Sequence, residues 1–257
     1  MSSSVLHDLE PAADVPLDVA ARASALTKTY GTGDTAVHAL AGVDVAFHAG
    51  RFTAVMGPSG SGKSTLMHLM AALDTPTSGT VTIGATDVTA LSEKELTRLR
   101  RDRIGFVFQA FNLLPVLTAA ENIELPQRLA GRRAEAGWLA SVIETVGLAD
   151  RLGHRPAELS GGQQQRVAVA RALAGRPEIV FADEPTGNLD SGSGAEVLGF
   201  MRRSVDEFGQ TIVMVTHDPT AAAWADRVIF LADGQLRREL HAPTAATVLD
   251  TMKSLEA

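Results

Sequence analysis

Gly57-Pro58-Ser59-Gly60-Ser61-Gly62-Lys63-Ser64 fits G-x-x-x-x-G-K-[ST], and its neighbours decide what the pattern means. Upstream lies the apolar run Phe52–Met56, the mark of a buried strand. Downstream, Leu66, Met70 and Leu73 fall on one face of a helix expected over residues 63–73. A glycine-rich loop between a strand and a helix is more than a plain turn. Its glycines let the backbone wrap a phosphate so that successive N–H groups point inward, and the helix presents its positive end to the same anion. Lys63 supplies a full charge to the outer phosphates, and the Ser64 hydroxyl is a Mg2+ ligand. With Thr65 included, this segment is expected to bind a nucleoside triphosphate.

Outward from the cradle the pattern is that of an α/β domain. Strands are expected at 79–83, at Ile104–Phe108 and in three Val/Ile-rich runs at 179–182, 211–215 and 228–231, which suit a buried parallel sheet. Ser92-Glu-Lys-Glu95 is a capping-box pattern and opens a short arginine-bearing helix. From 111 to 159 the chain is mainly helical, with breaks expected at Pro115, Pro126, Gly131 and Gly153. A further helix is expected over 162–174, stopped by Gly175 and Pro177. The expected division is an acidic, aperiodic tail at 1–21, the nucleotide domain at 22–242 with a helical insertion at about 111–165, and a C-terminal tail or short helix at 243–257.

The chain has 257 residues, enough for one such domain, and 45% are apolar. A net charge of -7 argues against nucleic acid as the main partner. There is no cysteine, which excludes disulfide and thiolate chemistry. The first twenty residues hold Asp8, Glu10, Asp14 and Asp18 but no Lys or Arg, the reverse of a secretory signal. The uncharged run 104–120 contains Gln109, Asn112 and Pro115 and suits a strand and loop better than a membrane span.

Two further clusters carry chemistry. Asp183-Glu184 follows the run 179–182, and ligands of doubly wound sheets bind beyond the carboxyl ends of the strands. Asp183 is placed to face the metal through water, and Glu184 to orient and deprotonate the water that attacks the γ-phosphate. Leu159-Ser160-Gly161-Gly162-Gln163 lies about a hundred residues beyond the cradle at a helix start, a second anion-binding site. One chain binding one nucleotide has no evident need of two. The need arises if this surface caps the γ-phosphate held by another copy.

These motifs together resemble the ATP-binding subunits of ABC transporters, from about Ala23 to about Leu240. Leu-Ser-Gly-Gly-Gln is that family's signature. The resemblance implies a P-loop ATPase with a mostly parallel RecA-like sheet, an antiparallel β subdomain and an inserted helical subdomain, using ATP and Mg2+. It further implies that Tyr30 stacks on adenine and that Gln109 reaches Mg2+ and senses a membrane partner. Asn188-Leu-Asp190 is implied to communicate between the two sites of a homodimer, and His217 to touch the γ-phosphate. The expected catalytic set is Glu184, His217 and Lys63. The expected metal set is Ser64, Gln109 and, through water, Asp183.

Phe108-Gln-Ala-Phe-Asn-Leu-Leu-Pro115, Leu117-Thr-Ala-Ala-Glu-Asn122 and Asp183-Glu-Pro-Thr-Gly-Asn-Leu-Asp190 resemble one subgroup, which includes the lipoprotein-releasing and macrolide-exporting ATPases. That implies a separately encoded four-helix permease with a large extracytoplasmic domain, and a cytoplasmic location on the inner face of the plasma membrane. It also implies that the segment after Gln109 helps to form the groove for the permease's cytoplasmic helix. The alternatives are a generic ABC importer subunit, a soluble ABC protein of DNA maintenance or translation, and a small-molecule kinase. The soluble class lacks its usual long coiled coil or second cassette here, and a kinase gives no reason for Leu159–Gln163.

Overall fold

The computed structural model describes residues 19–256; the acidic residues 1–18 lie outside the described residues. In chain order the strands and helices are β1 (Val19–Tyr30), β2 (Val37–His48), β3 (Phe52–Met56), α1 (Lys63–Met70), β4 (Ser78–Ile83), β5 (Thr86–Asp87), α2 (Glu93–Arg103), β6 (Ile104–Phe108), α3 (Ala119–Leu129), α4 (Ala136–Thr145), α5 (Gly161–Leu173), β7 (Ile179–Asp183), α6 (Ser191–Phe208), β8 (Ile212–Val215), α7 (Pro219–Ala222), β9 (Arg227–Ala232), β10 (Gln235–His241) and α8 (Ala245–Glu256). The first strand begins three residues ahead of the boundary expected at 22.

One six-stranded sheet has the order β10-β9-β3-β8-β7-β6, parallel except for the edge strand β10. The other, β2-β1-β4-β5, is antiparallel. Successive side chains of a strand face opposite ways, and both faces of the parallel sheet are covered. Phe52, Ala54 and Met56 of β3 point into one core, with Ile212, Met214, Val228 and Phe230 beside them and α3 to α8 packed over them. Val55, Val213, Val215, Ile229 and Leu231 point into the other, which α1 shares with the antiparallel sheet through Leu26, Leu40 and Phe47. This two-sided burial is why the strands are continuous apolar runs rather than alternating ones.

The inserted helices lean on α5 and α6. Trp138 of α4 donates its indole N–H to the Leu173 carbonyl (3.0 Å). Its ring meets Phe208 edge-on at 4.8 Å, and the Arg176 guanidinium lies over it at 4.6 Å. Asn122 of α3 is fully buried, accepts from Leu114 N and donates to the carbonyls of Leu114, Leu117 and Thr118, which pins the loop ahead of the helix.

Several local expectations need correction. Pro126 does not break the chain: it lies inside α3. A proline forfeits its own N–H bond, here to the residue four back, and the packed face Ala119–Ile123–Gln127 carries the helix through it. Helix α1 stops at Met70, because Ala72 turns left-handed (φ +57°), so Leu73 leaves the buried face and is 46% exposed. Strand β10 was not anticipated; Asp233-Gly234, both at positive φ, form the turn that folds it back on β9.

Candidate nucleotide site

Residues Phe108, Asp183, Val215 and Val55 stand side by side across β6, β7, β8 and β3. Parallel strands therefore deliver Gln109, Asp183-Glu184, His217 and Gly57 to the same edge of the sheet, around the order reversal between β9-β3 and β8-β7. That crevice is where open α/β sheets bind ligands.

The cradle is closed around bare backbone. A Cβ on Gly57 (φ +147°) would stand 2.0 Å from the Leu231 carbonyl oxygen, and one on Gly62 (φ +100°) 2.4 Å from that of Ala39. Lys63 Nζ donates to the carbonyls of Gly57 (2.9 Å) and Pro58 (2.8 Å), so its ammonium is folded back over the loop. Burial lowers the Lys63 pKa, and the charges of Glu184 and Asp183 oppose that shift. Ser61 Oγ is buried and has no hydrogen-bond partner. Ser64 and Thr65 open α1 directly behind the loop. A buried hydroxyl without a partner, a bent-back lysine and a helix N-terminus are the donors a polyphosphate needs, so the residues fit the group.

Asp183 ends β7 and is half-buried; burial pushes its carboxyl above the ordinary range, Glu184 adds to that, and His68 and Lys63 oppose it. A carboxylate destabilised in this way suits a divalent cation. Glu184 adopts a left-handed backbone (φ +47°) while its N–H bonds Val215 O (2.9 Å). Its Oε1 lies 2.8 Å from Nδ1 of His217, whose side chain is otherwise exposed. Glu184 and His217 are thus one hydrogen-bonded pair. Gln109 Nε2 donates to Asn188 Oδ1 (2.9 Å), and Asn188 Nδ2 donates back to the Gln109 carbonyl (3.1 Å). The structure therefore joins Gln109 to the loop before Asp190, a pairing that spacing did not suggest.

Tyr30 ends β1 and is 42% exposed. Its hydroxyl donates to Asp74 Oδ2 (2.8 Å), and Lys28 bonds the same carboxylate and lies 4.8 Å from the ring centre. Asp74 had no signal in the sequence; its role exists only once α1 and β1 meet.

The signature segment is a working helix cap. Ser160 Oγ accepts from Gln163 N (3.2 Å), and Gln163 Oε1 accepts from Ser160 N (2.9 Å). The S-x-x-Q spacing is the same capping-box rule as at Ser92–Glu95. A Cβ on Gly162 would stand 2.9 Å from Ser193 Cβ, so α5 starts flush against α6, whose own cap is Asp190 accepting from Gly192 N and Ser193 N. Helix α1 packs in one core and α5 in the other, on opposite faces of the parallel sheet.

A parallel sheet with a phosphate cradle at its order reversal and an acidic pair two strands away defines a P-loop nucleotide-binding protein. The chain belongs to the ABC transporter family, which residues 40–187 match, and it is an ATP-binding cassette and an ATPase. It is 50% identical over 216 residues to the macrolide export ATP-binding/permease protein MacB of Marinobacter nauticus, covering 82% of this chain and 33% of that one. It is 46% identical over 220 residues to the uncharacterized ABC transporter ATP-binding protein MJ0796 of Methanocaldococcus jannaschii, covering 83% of this chain and 94% of that one. The chain thus spans about a third of the length of the MacB relative. Its fold superposes with TM-score 0.77 and 43% identity on a dimeric, post-hydrolysis structure of MJ0796 bound to ADP and Pi, over 86% of this chain and 98% of that one. Among the described residues no helix is long and apolar enough to cross a membrane.

Proposed function

We propose that two copies of this chain sandwich ATP, hydrolyse it, and drive a membrane permease. The observation that carries this reading is the placement of the cradle helix and the signature helix on opposite faces of one sheet. A second copy, turned head to tail, brings its Ser160–Gln163 cap over the phosphates held at Gly57–Ser64. The dimeric form of MJ0796 supports that arrangement.

In this reading Tyr30, anchored through Asp74, offers its exposed ring to adenine. The N–H groups of residues 57–65 and the Lys63 ammonium bind the phosphate oxygens. Ser64, Gln109 and, through water, Asp183 would hold Mg2+, which would supply positive charge against the phosphates. Glu184 orients and deprotonates the attacking water, and His217, held by Glu184, donates toward the γ-phosphoryl oxygens. Ser160 accepts at its cap, so its O–H remains available to donate outward to the partner's nucleotide, beside Gly161 and Gly162. Asp190, capping α6 next to the signature, communicates between the two sites.

The groove between α2, β6, α3 and α5, about 460 Å3 and lined in part by Phe106, Phe108 and Asn112, is the seat of the permease's cytoplasmic helix. The permease has four membrane helices and a large extracytoplasmic domain, and holds this chain at the inner face of the plasma membrane. The relatives named for macrolide export and pyoverdine export support export or mechanical work across the membrane as the coupled task; the cargo is recognised by the permease.

The test is light scattering of Glu184→Gln with Mg-ATP. Binding without turnover traps the sandwich, so a dimer is expected with Mg-ATP and a smaller species without nucleotide. A monomer at high protein concentration with saturating Mg-ATP overturns the proposal.

A further inference from the structure

Arg171 is a cation without an anion. Its guanidinium sits on α5, half-buried, and among the described residues no carboxylate pairs with it. It donates instead to two successive backbone carbonyls, Nη1 to Asn112 O (2.5 Å) and Nη2 to Phe111 O (2.8 Å). Burial alone depresses its pKa, with no neighbouring charge to offset it. A buried charge persists only when its hydrogen bonds are made, so these carbonyls are its principal anchor.

The two residues it holds are unusual. Phe111 (φ +58°) and Asn112 (φ +50°) are consecutive left-handed residues with side chains, a conformation L-residues resist. They turn the chain immediately behind Gln109. On the other side of Gln109, Gln165 of the same helix donates Nε2 to Phe108 O (3.2 Å) and to Pro185 O (2.6 Å), next to Glu184. Helix α5 therefore grips the Gln109 loop before and behind. The guanidinium matters as a planar fork, because a lysine ammonium does not span two carbonyls in the same way.

We propose that Arg171 is a positioning residue for Gln109: from the signature helix it fixes the strained turn after Gln109, and so sets where that amide stands relative to Asn188 and the end of β7. Arg171 also lines the groove assigned above to the permease, so an occupant of the groove meets the group that holds the loop. This inference rests on the reading of Gln109 as a Mg2+ ligand.

The experiment compares wild type, Arg171→Lys and Arg171→Lys with Asn112→Gly by amide hydrogen exchange, ATP affinity without Mg2+, and Mg2+ titration of ATPase activity. In Arg171→Lys, exchange across 109–114 rises about tenfold while 161–173 stays protected. ATP affinity without Mg2+ is unchanged, the half-saturating Mg2+ concentration rises, and kcat falls between about ten- and a hundredfold, as for a displaced active-site group. Asn112→Gly, which relieves one left-handed residue, recovers part of the loss. Unchanged exchange at 109–114 overturns the proposal. Equal loosening of 161–173, which marks Arg171 as a general support of the fold, overturns it too. If the exchange result holds while the Mg2+ requirement does not move, Gln109 is not the metal ligand, and the reading of the site fails separately from that of the loop.

Discussion

The clearest test of the cradle is to add one methyl group at each of two glycines. At Gly57 a Cβ would stand 2.0 Å from the Leu231 carbonyl oxygen, about 1 Å short of the 3.0 Å that real Cβ atoms keep. Strands β3 and β9 are hydrogen-bonded neighbours there, paired up to Met56 and Phe230, and cannot part without breaking the sheet. Overpacking costs about 1–3 kcal/mol, and a side chain at a backbone angle reserved for glycine costs about 1–3 kcal/mol more. Gly57→Ala is therefore expected to lose about 2–6 kcal/mol. Gly60 (φ +78°) has nothing within 4 Å of its Cβ position, so Gly60→Ala carries only the left-handed term, about 1–2 kcal/mol. With a urea m-value of about 2–3 kcal/mol/M, the Gly57→Ala midpoint falls by about 0.7–3 M and that of Gly60→Ala by about 0.3–1 M. Equilibrium urea unfolding followed by far-UV circular dichroism measures both. Equal midpoint shifts for the two variants refute the claim that close backbone approach shapes the loop.

Further outcomes follow from the charges around that loop. Lys63→Ala removes the ammonium aimed at the phosphates and should weaken ATP binding at least tenfold in calorimetry while the fold persists. Glu184→Gln should bind Mg-ATP normally yet release phosphate about 10²–10⁴ times more slowly, the span of general-base help; near-normal steady-state turnover contradicts that role. Asp183 has its pKa raised by burial, so the ligand-free fold favours its protonated form: its contribution to stability is fullest below the unfolded value of about 3.9 and is lost as pH rises through the folded pKa. Asp183→Asn should therefore raise the Tm of ligand-free protein at pH 7 but not at pH 3, while weakening Mg-ATP binding. A lower Tm at pH 7 would argue that Asp183 is a structural carboxylate.

Much of this was legible in the chain because it is local. The phosphate loop declares itself by spacing, the strands Phe52–Met56 and Ile104–Phe108 by unbroken apolar runs, and the helix after Ser92 by its cap. What escaped depends on contacts between distant segments. Asp74 acquires meaning only when α1 meets β1, and the pairing of Asn188 with Gln109 only when the two exchange hydrogen bonds across 79 residues. Gln165 and Arg171 look like ordinary helix-surface residues until the carbonyls of Phe108, Phe111 and Asn112 arrive beside them. Pro126 misled for the opposite reason: a strong local rule was overridden by the packing of its neighbours.

Trp138 bridges the inserted helices to α5 and α6, touching Phe208, Arg176 and the Leu173 carbonyl at once. An indole's emission responds to the cation and dipoles around it, so this residue is an intrinsic optical gauge of any rotation of the insertion. The chain has only two tryptophans; with Trp224 replaced, a single fluorophore remains, and the movement can be timed in stopped flow without attaching a dye.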